Sequence, residues 1–142
     1  MLKKLCLSAS MVMLPLVAEA GGFTIINYTA HYSTAVMNHG ACSSKKLPGG
    51  KGITSPRHTD GTPTENTIED GLVNIACFGH EKDCFAQLYM ENNCNGPIIA
   101  EAHFNKFTGL LAAPKMTEAG VALGYRVTGE VKTFKVILDG GL

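Results

Sequence analysis

The chain has 142 residues, with 12 Lys plus Arg against 12 Asp plus Glu, a formal net charge of +0 at pH 7. A neutral balance supplies no global pull towards nucleic acid or anionic membrane, so any charge-driven binding must be local. There is no Trp, so a small core has to be built from modest side chains and is expected to need reinforcement.

The first element is a leader. Lys3 and Lys4 precede an apolar stretch over residues 5–17, and Ala18, Glu19 and Ala20 form a small-x-small cleavage pattern. Together these read as a signal peptide over residues 1–20, with Gly21 opening the mature chain. The apolar run is shorter than the roughly 20 residues a membrane-spanning helix needs, and no comparable stretch follows. The expectation is an exported, soluble protein, a single domain over residues 21–142. Removing Lys3, Lys4 and Glu19 takes the charge balance from 12 and 12 to 10 and 11.

Period-two alternation dominates the rest. Residues 23–28, 34–39, 68–78 and 84–90 are rich in β-branched or aromatic side chains and are bounded by Gly, Asn, Asp or Pro. Ile98, Ala100, Ala102 and Phe104 alternate with Ile99, Glu101, His103 and Asn105, as in a half-buried strand. Residues 125–132 and 133–138 repeat the pattern, as two adjacent strands or one bent one. Only residues 110–118 hold a helical turn, and Pro114 interrupts it. About seven short strands predict an all-β fold, a single antiparallel β-sandwich.

Cys6 falls in the leader, leaving Cys42, Cys77, Cys84 and Cys94. Outside the cytosol an even set in a short chain predicts two disulfides, and these spacings lack the close pairs of a zinc site. Residues 91–97, Glu-Asn-Asn-Cys-Asn-Gly-Pro, read as the turn between the strands ending near Met90 and starting at Ile98. With Cys84 at the start of that hairpin and Cys94 in its turn, roughly six to eight residues at about 3.3 Å each separate them, beyond disulfide reach. The favoured pairing is Cys77 with Cys84 and Cys42 with Cys94. Cys42–Cys77 with Cys84–Cys94 remains open if the second strand is short.

Several of these segments carry a resemblance. The strand Phe-Thr-Ile-Ile-Asn-Tyr-Thr after the leader, Asn38-His39-Gly40-Ala41-Cys42, Gly52-Ile53-Thr54-Ser55-Pro56, and Asp83 to Met90 through Asn93-Cys94-Asn95-Gly96-Pro97 resemble small exported proteins of Gram-negative intracellular pathogens. Some of those look like substrates of type II secretion, which folds its cargo in the periplasm before release. The resemblance implies a secreted or periplasmic location and a role at a host interface, and it transfers no site residues.

The longest connection, residues 40–66, has no apolar period, and loops of that length are often functional. It holds Lys45, Lys46, Lys51, Arg57 and His58 against Asp60 and Glu65. Residues 45–52 combine glycines with ammonium groups that suit a phosphate or sulfate, without the Lys-Ser/Thr ending of a nucleotide loop. These five basic residues are the candidate ligand-binding set.

Catalytic signatures are poorer. His80-Glu81-Lys82-Asp83 lacks the second histidine of a zinc-protease helix, and His31, His39, His58, His80 and His103 have no close pairing. His103 shares a strand face with Glu101, a pair suited to ligand binding or to tuning proton affinity. Ser33, Ser43, Ser44 and Ser55 lie outside any nucleophile elbow, and Glu65, Glu69 and Asp70 read as solvated charges. Asn27-Tyr28-Thr29 is a glycosylation sequon only in a eukaryotic pathway, and its asparagine is expected simply to end a strand. The expected function is a non-enzymatic binding or virulence-accessory protein that contacts a host protein, glycan or anionic lipid. No cofactor, metal, nucleic acid or catalytic residue is expected. The rival is a small hydrolase built on His80, Asp83 and His103.

Overall fold

A computed structural model describes residues 22–46 and 51–142; the side chain of Lys46, the expected leader and Gly21 lie outside the described residues. The architecture is mostly β, in two sheets. β1 (Phe23–Asn27) buries Phe23, Ile25 and Asn27 and leaves Thr24 and Ile26 between them half-buried, as the alternation requires. It pairs antiparallel with β3 (Thr64–Ile68) on one side and parallel with β9 (Lys135–Gly140) on the other, and β8 (Tyr125–Thr128) completes that sheet.

The second sheet is built on the predicted hairpin. β4 (Cys84–Tyr89) pairs with β5 (Ile98–Asn105), with a register shift between Leu88 and Tyr89. β2 (Thr34–Met37) adds to β4, while the short strands β6 (Gly109–Leu110) and β7 (Lys115–Met116) share the far edge of β5. Inward residues of both sheets form one apolar cluster, with the Phe23 and Phe104 rings 5.2 Å apart across it.

Four expectations need correction. Among the described residues the sheets hold nine strands and are mixed, because β1 and β9 lie parallel, so the all-antiparallel, seven-strand reading fails. Residues 68–78 are no strand: Ile68 ends β3, and α2 (Asp70–Ala76) follows. That apolar run fits both periods, and the helical one wins because it buries Val73 and half-buries Leu72 and Ala76 on one face. Asp70 in its first turn also suits the positive end of the helix. The long connection is partly ordered: α1 (Ser43–Lys46) sits within it, Ser33 pairs with Thr54, and β3 begins at Thr64. Finally, Pro114 separates β6 from β7, and the helical turn comes later, as α3 (Glu118–Ala122), where the Thr117 hydroxyl accepts from the Gly120 N–H at 3.0 Å.

The disulfides join Cys42 to Cys94 and Cys77 to Cys84, the favoured pairing. The second closes a helix-to-strand loop between α2 and β4. Asn27 ends β1 as predicted and is fully buried. Its amide donates to the carbonyls of His31 (2.7 Å) and Ser55 (3.0 Å), and its Oδ1 accepts from the N–H (2.9 Å) and hydroxyl (2.7 Å) of Thr29. With all four hydrogen-bonding positions used, this amide is a structural hub.

Candidate functional site

The outer face of the second sheet gathers one titratable cluster. Strand alternation puts Glu101 and His103 on the same side of β5, and the antiparallel register brings Phe85 opposite His103. Asp83, just before β4, completes the group. His103 Nδ1 lies 2.9 Å from Asp83 Oδ1, and its Nε2 lies 2.9 Å from Glu101 Oε1. The Phe85 ring stacks on the imidazole at 5.6 Å and meets His39 edge-on at 4.9 Å.

This geometry favours the imidazolium, which donates from both nitrogens. The hydrogen bond to Asp83 is the largest cause of a raised His103 pKa, partial burial opposes it, and Glu101 adds to the rise. A histidine engaged on both sides offers no lone pair to a substrate or metal, so the arrangement tunes proton affinity and clamps Asp83 to β5. Of the hydrolase set, Asp83 and His103 meet. His80 instead shapes the preceding turn, its N–H donating to the Cys77 carbonyl at 2.8 Å and its carbonyl accepting from the Asp83 N–H at 3.2 Å. Among the described residues no group of three or more His, Cys, Asp or Glu is placed to hold a metal ion.

The basic candidates are spread along the connection. Lys45 is exposed on α1, and Lys51 is exposed beyond residues 47–50, its carbonyl accepting from Asn66 Nδ2 at 2.6 Å. Arg57 is turned to structural use: its N–H donates to the Thr29 carbonyl at 2.8 Å and its guanidinium to the Tyr28 carbonyl at 3.2 Å. His58 closes a tight turn, its N–H donating to the Thr62 carbonyl at 2.8 Å. Within that turn the Thr62 hydroxyl and N–H hold the Asp60 carboxyl below its usual pKa. No hydrogen bond or ion pair joins these basic side chains among the described residues.

A second feature went unseen in the sequence. The Cys77–Cys84 loop, the β5–β6 turn and the β8–β9 turn meet at one end of the molecule. The Lys106 N–H donates to the Glu81 carbonyl at 2.8 Å, and the Lys132 N–H to the Leu110 carbonyl at 2.9 Å. At this end Phe78 is 82% exposed, Ile75 69% and Phe107 65%, with Val131 also exposed. Lys106 Nζ lies 4.9 Å from the centre of the Phe107 ring. The available signal was local: Phe78 precedes Gly79 and Phe107 follows Lys106, both in turns where apolar residues have no strand to bury them.

No described helix is long and apolar enough to cross a membrane. A family model described as T2SS substrate NttC matches residues 1–135. No curated protein and no solved structure matches the chain.

Proposed function

We propose, for a chain that belongs to the NttC family of type II secretion substrates, a non-enzymatic binding role outside the cell in which its loops engage a host protein. Family membership implies a secreted protein, and two disulfides suit an extracytoplasmic compartment. The observation carrying the proposal is the apolar end. Leaving an aromatic or branched side chain in water forgoes about 1.5–3 kcal/mol of burial, and a cluster of such residues marks an interaction surface. Phe78 lies in the loop closed by Cys77–Cys84, Ile75 on the helix that leads into it, and Phe107 in the turn whose Lys106 N–H donates to the Glu81 carbonyl of that loop, so docking them costs little ordering entropy.

Charge favours a protein surface over an anionic headgroup here, because Lys82, Lys106 and Lys132 are balanced by Glu81, Asp83 and Glu130. An anionic glycan or lipid is the alternative partner, and Lys45, Lys46, Lys51, Arg57 and His58 are the residues it would use. Binding of labelled protein to host-cell surfaces separates the two. The expected result is about a tenfold loss for the Phe78→Ser/Phe107→Ser pair at unchanged melting temperature. Binding that survives this pair but falls on replacing Lys45, Lys46 and Lys51 would move the contact to the basic connection, and survival of both would end the proposal.

A further inference from the structure

At the opposite end lies an open concavity of about 430 Å³ between residues 30–32 and the turn after β4. Its lining includes His31, Tyr32, Glu91, Asn92 and Asn95 over the buried Met90. We infer that this concavity is a binding site for a neutral saccharide, with the Tyr32 ring as the stacking platform and Glu91, Asn92 and Asn95 as the hydroxyl-reading groups. The inference does not rest on the apolar end.

The chemistry of the lining selects the ligand class. A pyranose offers an apolar C–H face and a rim of hydroxyls that both donate and accept. Tyr32 is 46% exposed, so an aromatic face is open to stack on the first. Amides and a carboxylate answer the second: each amide supplies two donors and an acceptor, and the carboxylate accepts only. Among the described residues lining the concavity there is no Lys or Arg, and Glu91 adds a carboxylate, which disfavours phosphate and sulfate there. The volume falls in the range of small-molecule sites.

The turn is also held in place before any ligand arrives. The Thr34 hydroxyl donates to the Glu91 carbonyl at 2.6 Å and accepts from the Cys94 N–H at 3.1 Å, and Cys94 is bonded to Cys42. The Ser44 hydroxyl donates to Asn93 Oδ1 at 3.0 Å, which fixes the middle of the turn and leaves its neighbours Asn92 and Asn95 facing the concavity. Gly96 has a φ of +74°, and a Cβ there would come within 2.7 Å of Glu91 Oε2, so glycine lets the carboxylate lie against the backbone. Such pre-ordering reduces what binding must spend on immobilising side chains.

Titration calorimetry of the secreted protein with cellotetraose, maltotetraose, chitotetraose and mannotetraose tests this, with a lysine-rich peptide and heparin-derived tetrasaccharide as charged probes. The expected result is binding of at least one neutral tetrasaccharide that changes little with salt. Tyr32→Ala should weaken it about tenfold, Tyr32→Phe should largely retain it, and Asn92→Ala with Asn95→Ala should weaken it severalfold. Amide chemical shifts of residues 30–32 and 90–95 should move on titration, which reads the site without any substitution. Absence of binding to all four neutral probes, binding only of the peptide or the sulfated probe, or shift changes confined to other residues would each overturn the inference.

Discussion

The two ends of the molecule are each secured by one disulfide, yet they solve different problems. Cys77 and Cys84 lie 7 residues apart and close a single loop at the apolar end, whereas Cys42 and Cys94 lie 52 apart and tie the long connection to the β4–β5 turn. The first fixes where exposed Phe78 stands. The second gathers segments that share little apolar contact and depend on polar bonds, such as those of Asn27 and Thr34. Phe78 on one end is free for a partner because covalent closure, not its own burial, holds its loop. At the other end the hydrogen bonds are the structure.

The largest test of this contrast is removal of each bridge. Loop-closure entropy predicts a loss of about 4 kcal/mol for Cys42→Ser with Cys94→Ser and about 2.5 kcal/mol for Cys77→Ser with Cys84→Ser, read from urea unfolding. The reverse order would mean that the short bridge carries more than its own loop. Next in size, Asn27→Ala should cost about 3 kcal/mol, since it strands the buried N–H and hydroxyl of Thr29 and the part-buried carbonyls of His31 and Ser55. A cost below about 1 kcal/mol would show that the polar end does not depend on that hub. At the apolar end, by contrast, Phe78→Ser should stay within about 0.5 kcal/mol of the parent protein.

Much of this was legible in the sequence, for identifiable reasons. β1, β4 and β5 each bury one face, so Phe23 and Ile25, Ala86 and Leu88, and Ala102 and Phe104 mark their alternation directly. The hairpin made from β4 and β5 then disfavoured a Cys84–Cys94 bridge by distance, leaving it open only for a short second strand, and the six-residue β4 closes that option. α2 was not legible, because Leu72, Val73, Ile75 and Ala76 form an apolar run interrupted only by Asn74, and hydrophobic identity cannot reveal that Ile75 faces solvent. β3 is polar enough, at Thr-Glu-Asn-Thr-Ile, to pass for loop until β1 supplies it with a partner. Of the candidate site, the Glu101–His103 pairing followed from strand alternation, but Asp83 joined it only through the fold.

Smaller effects sharpen the picture further. Gly96→Ala should cost about 1 kcal/mol through its left-handed backbone, and it should disturb saccharide binding by displacing Glu91. His103 supplies the pH dependence. Its folded pKa lies above the ordinary histidine value of 6.5, so its stabilisation is complete below that value and disappears as pH rises through the folded pKa. The urea midpoint of the parent protein should therefore exceed that of His103→Gln by more at about pH 5 than at about pH 9. An equal gap at both pH values would mean that Asp83 and Glu101 hold the ring by packing alone.

β9 lies between β1 and β8, so the first strand of the described chain waits for the last to gain its second neighbour, and β8 joins the sheet only through β9. Nothing assembled from the N-terminal portion alone can satisfy the inner edge of β1. A polypeptide wired this way completes the sheet only once its last strand is in place, a contact of high sequence separation. Cutting the chain before residue 135 should leave a polypeptide that can be made but cannot shut.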